Sequence, residues 1–317
     1  KGENLYQELQ KICTANIKNE FGKCTYTQML NSDAGIETDL TVICLGENHY
    51  RIIGAAATRE RDKFHINKHI NENINLIDVT DDFVCLGLFG PKSRELMKDI
   101  AKEDFSNEKL KFGQSKNIYI QNKDVWVQRL SYVGEVGYEL YIKNLDAKMI
   151  FNKIVEVGKK YNLSLCGAHA MDILRMESGF LHWGHDISPE ENQFEAGLNF
   201  AISFKKNYDF IGKQALLKIN KGKIKKKLIM LSLNNTEPGK PLALHFEPIY
   251  IDGKICGNTT SANYSFNYNK NLIFGYVSTD FTLKELLKKE IQVEIEKIKY
   301  QASLLLKPLK NPNIKLN

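Results

Sequence analysis

Residues 125–142 constrain the fold most, because two apolar runs are separated there by a short loop with two glycines. Val125 to Leu130 is typical of a strand, and the chain leaves the loop as a second strand from Tyr138 to Ile142. Gly134 and Gly137 permit the positive φ values that a tight strand-to-strand turn needs. The pattern therefore predicts a β-hairpin.

Glu139 is the unusual residue of the second strand. Side chains alternate along a strand, so Tyr138, Leu140 and Ile142 share one face. Glu139 and Tyr141 share the other face, and a carboxylate between bulky apolar neighbours must reach water or pair with a donor. In one interpretation Glu139 lies on the wet face of an ordinary hairpin. In the other it forms one wall of a pocket, where it accepts paired N–H donors from a flat heterocycle that tyrosines cover.

A second carboxylate, Asp39, stands where a turn leads into an apolar strand. The turn cluster is residues 31–35, and the strand continues from Leu40 to Leu45. At such a position a carboxylate can point into a pocket. It can equally be a residue at a strand start that nearby backbone N–H groups satisfy. The pattern leaves both interpretations open.

The chain divides into two regions with different patterns. With 317 residues it is too long for one ordinary domain. Helical and strand patterns are mixed in the first part, whereas short strands with turn signals from Leu228 onward predict a small β-barrel. The lysine-rich run from Lys218 to Lys227 is typical of a solvated linker.

Composition describes a globular protein, with 43% hydrophobic and 26% charged residues. The net charge of +6 is mild and no nucleic-acid motif accompanies the lysines, so no nucleic-acid partner is predicted. The six cysteines lack CxxC spacing, and several, such as Cys44 and Cys85, lie in apolar runs. This usage indicates buried free thiols in a reducing compartment. No apolar run approaches the roughly 20 residues of a membrane span, and no signal peptide is recognisable.

Several segments have local patterns that predict their structure. Ile74 to Val79 predicts a strand, and a helix is predicted from Cys166 to Ser178. Residues 179–189 combine aromatics, glycines and a closing Ser-Pro, which is typical of an ordered loop. The segment from Glu195 to Ile202 is predicted to end as a strand.

Most standard chemical motifs are absent. There is no Walker loop and no GxGxxG segment followed by a helix. His182 and His185 lie in a glycine-rich loop without a cysteine or carboxylate at ligand spacing, so no metal site is expected.

Six segments occur in order along nearly the whole chain: 29–31 with 35–42 (MLN and GIETDLTV), 86–91 (LGLFGP), 131–140 (SYVGEVGYEL), 195–198 (EAGL), 209–213 (DFIGK) and 257–261 (GNTTS). Together they resemble the glycine-cleavage T-protein (aminomethyltransferase) family. Trp183-Gly184 and residues 258–276 are most similar to the folate-binding C-terminal part of dimethylglycine and sarcosine dehydrogenases.

The resemblance implies a fold and a ligand. The expected fold is α+β, with an aminomethyltransferase-type folate-binding domain over residues 1–217 and a small β-barrel domain over residues 226–317. The expected cofactor is tetrahydrofolate. FAD is expected only through an upstream or partner domain that this chain does not contain.

The resemblance also assigns roles to site residues. Glu139 matches the carboxylate that takes the N–H edge of the pterin, and Tyr132 matches the tyrosine that lines it. The other expected folate contacts are Asp39, Leu40, Thr41, Leu140, Tyr141 and Phe200. Asp39 is the expected catalytic residue, placed beside the N5/N10 edge to orient folate and take up a proton as the amine attacks a one-carbon unit.

One departure from the family pattern bears on the donor. T-proteins carry a folate-contacting arginine four residues before the position of Arg175, and here that position is Met171. The dehydrogenase branch also lacks this arginine. We therefore expect transfer of a methyl-derived unit from dimethylglycine or sarcosine to tetrahydrofolate, giving 5,10-methylenetetrahydrofolate.

The sequence leaves three other functions open. They are glycine-cleavage aminomethyl transfer, folate-dependent demethylation of a methylated sulfur compound, and non-catalytic folate binding. The last ranks lowest, because no KGCYxGQE-like motif is present. The expected partners are a small-molecule substrate, folate and a flavoprotein domain or subunit, without a membrane. The expected location is the cytoplasm, or the mitochondrial matrix if the source is eukaryotic.

Overall fold

Two antiparallel sheets and a closed barrel organise the chain. The computed structural model describes residues 1–221 and 224–310. The helices are α1 (Leu5–Ile12), α2 (Arg59–His69), α3 (Ser93–Ala101), α4 (Asn144–Gly158), α5 (Ala168–Glu177), α6 (Lys213–Lys221) and α7 (Leu283–Leu286). The strands of the first two sheets are β1 (Cys24–Leu30), β2 (Ile36–Gly46), β3 (His49–Ile53), β4 (Phe83–Phe89), β5 (Ser115–Ile120), β6 (Lys123–Gln128) and β7 (Gly137–Lys143). The barrel strands are β8 (Lys226–Leu233), β9 (Pro248–Ile251), β10 (Lys254–Ser265), β11 (Lys270–Ser278), β12 (Ile291–Ile295) and β13 (Ile298–Leu305).

The first sheet has the order β1-β2-β3 and buries one face. Leu40 and Val42 of β2 and Tyr50 of β3 pack with α1 in one hydrophobic cluster. The register shifts between Met29 and Leu30, so that Gln28 lies opposite Asp39. Alternation then places Gln28 and Asp39 on the face that points away from this cluster.

The second sheet has the order β4-β7-β6-β5 and covers α3 and α4. Leu140, Val125 and Val127 all lie in that core. In the β6–β7 register, Gln128 lies opposite Glu139. Both therefore point away from the core, as the alternation of β7 predicts.

The free faces of the two sheets are turned toward each other. The guanidinium of Arg51 in β3 lies over the rings of Phe83 and Trp126, at 5.0 and 5.6 Å from their centroids. The backbone N–H of Cys24 donates to the carbonyl of Gly113, which joins the sheets at one end. A cleft between two sheet faces results.

The C-terminal strands close into a barrel in the order β10-β11-β8-β13-β12-β9. Its core includes Leu231, Ile249, Ile273 and Val293. This confirms the predicted α+β fold with a C-terminal β-barrel. The domain limits 1–217 and 226–317 stay a prediction, and residues 311–317 lie outside the described residues.

Two local strand predictions are wrong. Ile74 to Val79 forms no strand, and the predicted strand ending at Ile202 is a 3₁₀ turn over Asn199–Ala201. The hairpin around Gly134 forms, but its loop is longer than the predicted tight turn. Residues 129–136 lie outside the strand pairing, and Gly137 already belongs to β7. Strands β5 and β13 have no counterpart among the predictions.

Two further expectations need correction. All six cysteines are free, but Cys85 and Cys166 are exposed, Cys85 because it lies on the cleft face of β4. The lysine run is only in small part a linker: it begins inside α6 and ends in β8, while Gly222 and Lys223 lie outside the described residues. Among the helices that the structure describes, none is long and apolar enough to cross a membrane.

Candidate functional site

The cleft between the two sheets holds a cavity of about 390 Å³. Arg51 and Ile53 of β3 line it on one side, and Cys85 and Tyr141 of the second sheet line it on the other. Asp62 of α2 closes a further part of the wall. The cavity thus lies between the sheet that carries Asp39 and the sheet that carries Glu139.

Glu139 is a half-buried carboxylate on the cleft face of β7. It accepts a hydrogen bond from the hydroxyl of Tyr141, at 3.0 Å. Burial raises the pKa of Glu139, and the bond from Tyr141 opposes that rise. No cation within the described ranges forms an ion pair with it, so the carboxylate keeps acceptor capacity that a ligand with N–H groups can use.

Three side chains on the cleft faces have buried polar atoms that lack a hydrogen-bond partner among the described residues. They are Gln128, at both its amide oxygen and nitrogen, Trp126 at its indole Nε1, and Arg51 at Nη1. Gln128 is 0% exposed and lies directly opposite Glu139 in the ladder. Buried polar groups are nearly always satisfied, so a polar ligand that reached these atoms would complete their hydrogen bonds.

Asp39 lies on the opposing sheet and is also half-buried. Its Oδ1 accepts a hydrogen bond from the side-chain amide of Gln28, at 2.7 Å. Burial raises the pKa of Asp39 to about 6, hydrogen bonds from Tyr26 and Gln28 lower it, and the charge of Asp62 adds to the rise. A carboxyl group with such a pKa can exchange a proton near neutral pH.

Asp62 is a second acid with similar properties. It is 8% exposed and accepts a hydrogen bond from the hydroxyl of Thr58, at 2.7 Å, while its Oδ1 has no partner in the described part of the chain. Burial raises the pKa of Asp62 to about 6 as well, against the effects of Thr58 and Arg61.

Aromatic rings flank the Asp39 side of the cleft. Phe200, which is 73% exposed, stacks on Tyr26 with ring centroids 6.2 Å apart. Tyr132 stacks on Phe180 at the same separation, and its hydroxyl donates to the carbonyl of Leu181 at 2.9 Å. These rings offer apolar faces on which a flat ligand can stack.

The structure divides the predicted site residues into two groups. Asp39, Thr41, Glu139 and Tyr141 lie on cleft faces, and Tyr132 and Phe200 carry the flanking rings. Leu40 and Leu140 point into the two hydrophobic cores. Only the backbone of these two leucines can face the cleft.

Gln28, Gln128, Arg51 and Asp62 were not among the predicted site residues. For Gln28 and Gln128 the available signal was the strand register, since they are the cross-strand neighbours of Asp39 and Glu139 and share their faces. The register of each strand pair can be used only when it is known. It depends on the bulge between Met29 and Leu30 in the first sheet and on the length of the loop 129–136 in the second.

Two other features lie apart from these carboxylates. A larger cavity of about 880 Å³ is lined by Lys18, Lys23, Lys111 and Arg129, and neither Asp39 nor Glu139 borders it. Neither carboxylate lines the smaller cavity either, but its lining includes Tyr141, which donates to Glu139, and Asp62, whose charge acts on Asp39. We therefore place the candidate site at the smaller cavity. In the described part of the chain, no group of three or more His, Cys, Asp or Glu side chains could hold a metal ion.

Two protein families match the chain. The family described as GCVT N-terminal domain matches residues 1–206, and the family described as glycine cleavage T-protein C-terminal barrel domain matches residues 226–310. The aminomethyltransferase T of the glycine cleavage system from Bartonella henselae superposes with a TM-score of 0.83 over 97% of this chain and 82% of its own. At 23% identity, that similarity shows the fold alone.

Curated relatives come from two branches. A 4-methylaminobutanoate oxidase (formaldehyde-forming) from Paenarthrobacter nicotinovorans is 31% identical over 98% of this chain and 37% of its own length. The mitochondrial dimethylglycine dehydrogenase of Rattus norvegicus is 31% identical over 98% of this chain and 36% of its own length. An aminomethyltransferase from Halothermothrix orenii is 31% identical over 88% of this chain and 77% of its own length.

The chain therefore spans little more than a third of the oxidase and dehydrogenase relatives. The GCVT N-terminal domain alone covers more than half of the chain, which confirms the family resemblance. The chain belongs to the glycine-cleavage T-protein (aminomethyltransferase) family.

Proposed function

We propose that the cleft binds tetrahydrofolate and that the chain transfers to it a one-carbon unit derived from a methyl group of dimethylglycine or sarcosine. The product would be 5,10-methylenetetrahydrofolate. The observation that carries the proposal is Glu139, a carboxylate with spare acceptor capacity beside three unsatisfied polar side chains.

The residues of the cleft fit a pterin. Its N–H edge supplies two parallel donors, which a carboxylate such as Glu139 accepts well. The same ring carries a carbonyl oxygen and ring nitrogens, which suit the amide of Gln128, the indole N–H of Trp126 and the guanidinium of Arg51. A ligand of this kind would satisfy groups that otherwise stay buried without partners.

Asp39 is the proposed proton-transfer group. Tetrahydrofolate supplies the nitrogens that accept the one-carbon unit, and a nitrogen that attacks must lose a proton. With a pKa of about 6, Asp39 is mostly ionised at neutral pH and still basic enough to take that proton. Such transfer is worth roughly 10²- to 10⁴-fold in rate.

The proposed donor and partner follow from the relatives. Two of them are named for 4-methylaminobutanoate and dimethylglycine, which are N-methylated amino acids. Both are much longer than this chain. We propose that a flavoprotein domain or subunit oxidises the N-methyl group and that this chain captures the carbon.

A second candidate function is aminomethyl transfer in glycine cleavage. The aminomethyltransferase of Halothermothrix orenii favours it, because this chain covers 77% of that relative. Against it stands Met171, which is 44% exposed on α5 at the position where the family resemblance places an arginine.

Folate binding is tested by calorimetric titration with tetrahydrofolate under anaerobic conditions. Glu139→Gln keeps the shape of the side chain but turns one acceptor oxygen into a donor. We expect it to weaken binding by roughly 10- to 100-fold, the value of a hydrogen bond to a charged group. The matched control is Glu294→Gln, since Glu294 is also a strand glutamate that accepts a tyrosine hydroxyl, from Tyr250 at 2.7 Å, but lies in the barrel. Equal effects of the two variants, or no binding by the unmodified chain, would contradict the assignment.

The donor is tested by the folate product that forms with each candidate. Dimethylglycine or sarcosine, together with the flavoprotein that oxidises it, should yield 5,10-methylenetetrahydrofolate. An aminomethylated lipoyl carrier as the productive donor would establish the glycine-cleavage function instead. Formation of 5-methyltetrahydrofolate from a methylated sulfur compound would indicate a demethylase.

A further inference from the structure

Two buried glutamines connect Asp39 to the interior of the protein. Gln28 donates from its side-chain nitrogen to Asp39 Oδ1 at 2.7 Å, and Gln193 donates from its own side-chain nitrogen to Gln28 Oε1 at 2.6 Å. Both glutamines are 0% exposed. The sequence between them spans most of the first domain, so the fold brings this chain of amides together.

The second glutamine fixes the orientation of the first. A neutral amide can present either its oxygen or its nitrogen, and an ionised carboxylate only accepts hydrogen bonds. Because Gln193 donates to Gln28 Oε1, the nitrogen of Gln28 must face Asp39.

The far end of this chain of amides is also anchored. Gln193 Nε2 donates a second hydrogen bond to the hydroxyl of Thr14, at 3.1 Å. That hydroxyl donates to the carbonyl of Ala201, at 3.2 Å, and Thr14 is itself 0% exposed. Rotation of either glutamine therefore breaks contacts at more than one point.

We propose that Gln28 and Gln193 are positioning residues. Gln28 holds the Asp39 carboxylate in one orientation by donating to its Oδ1, Gln193 holds Gln28, and Oδ2 stays outside this chain of amides. The consequence for one-carbon transfer rests on the proposed function. The positioning itself is a property of the ligand-free protein.

The hydrogen bond from Gln28 is important for the pKa of Asp39, because none of the titratable groups named below supplies a positive charge. The titratable groups that face it are Tyr26 of β1, Asp62 of α2 and Tyr132 of the loop after β6. None of these is a cation, and Asp62 raises the pKa of Asp39 further. Gln28 and Tyr26 are the groups whose hydrogen bonds lower that pKa against the effect of burial.

The test is a pH titration of Asp39 in the ligand-free protein. Carboxyl ¹³C NMR of samples labelled at aspartate monitors it and gives the midpoint. Asp39→Asn identifies the resonance by its loss. In Gln28→Met, which keeps the size of the side chain but cannot donate, we expect the midpoint to rise by about one pH unit. Gln193→Met should raise it less, because Gln28 then rotates and donates only part of the time.

A matched control is Gln10→Met. Gln10 is likewise 0% exposed and donates two hydrogen bonds, to Asn16 and to the carbonyl of Ile17, but it does not contact Asp39. Its Asp39 midpoint should equal that of the unmodified protein. If Gln28→Met does not fold, as judged by its amide spectrum, the Gln193→Met midpoint decides alone.

Midpoints that coincide in all variants would overturn the positioning role. A shifted midpoint together with no tetrahydrofolate binding would leave that role standing and reject the proposed function. Conversely, Glu139-dependent folate binding with an unchanged midpoint would reject the positioning role alone. In the active protein, the acid limb of the pH–rate profile should move with the midpoint, and a merely structural residue would not move it.

Discussion

Asp39 and Glu139 of the cleft differ sharply from Asp186, a fully buried carboxylate at the junction with the barrel. The side chain of Asp186 is 0% exposed and pairs with Arg175 at 2.6 Å. Three more groups donate to its oxygens: the backbone N–H of His182 at 3.0 Å and the hydroxyls of Thr260 at 2.6 Å and Ser261 at 2.8 Å. This carboxylate joins α5, the loop of residues 179–189 and β10.

Asp39 and Glu139 have far fewer partners. The shortest hydrogen bond to Asp39 comes from one amide, and Glu139 accepts one from a tyrosine hydroxyl. Neither pairs with a cation anywhere in residues 1–221 or 224–310. The difference teaches that a carboxylate surrounded by donors serves the fold, and the spare acceptor capacity of Asp39 and Glu139 supports our proposal that these two serve a ligand.

The largest change in stability is expected at Asp186, whose oxygens already accept from four groups. Asp186→Asn leaves the buried guanidinium of Arg175 without its closest charge partner, so we expect unfolding free energy to fall by about 3–5 kcal/mol. Chemical denaturation measures it. Asp81→Asn is the control, since it removes an exposed partner of Arg59 and should change stability little. A small loss from Asp186→Asn would show that the junction is not held by this pair.

At the cleft, Asp39→Asn is expected to raise the free energy of unfolding, whereas Asp186→Asn lowers it. The pKa of folded Asp39 is about 6, above its ordinary value of 3.8, so folding favours the protonated form. The stabilisation that Asp39 contributes is complete below pH 3.8 and is lost as pH rises through 6. Asp39→Asn should therefore be more stable than the unmodified protein by up to about 3 kcal/mol above pH 6, and equal to it below pH 4.

Denaturation curves of both proteins across pH 4–8 measure this difference. A gain that does not depend on pH would show that burial does not penalise the ionised Asp39.

Gln128→Met should produce the smallest change in stability. Both amide atoms of Gln128 are buried without partners in the described residues, and methionine fills the same space without polar atoms. We expect a gain of about 1–2 kcal/mol in unfolding free energy, together with weaker tetrahydrofolate binding. A loss of stability with unchanged binding would place Gln128 in the fold rather than in the site.

The alternation of β7 was enough to predict which face carries Glu139 and Tyr141. It could not predict the residue opposite Glu139. A tight turn centred on residues 135–136 would pair Glu139 with Tyr132, but residues 129–136 leave the ladder and Gln128 takes that place. The turn at residues 31–35 has the same problem, because the register shift between Met29 and Leu30 brings Gln28 opposite Asp39. Bulges and loop lengths are decided by packing of the whole domain, which the local pattern does not contain.

The position of folate can be tested by the indole N–H resonances of ¹⁵N-tryptophan-labelled protein, since the chain has only two tryptophans. Trp126 lies in the cleft with its N–H unpartnered among the described residues, whereas Trp183 donates to the carbonyl of Ile36 at 3.0 Å. If tetrahydrofolate binds between the sheets, the Trp126 resonance will move during the titration, and in Glu139→Gln it will move only at much higher ligand concentration. A Trp126 resonance that stays in place while the protein binds tetrahydrofolate would contradict the central claim.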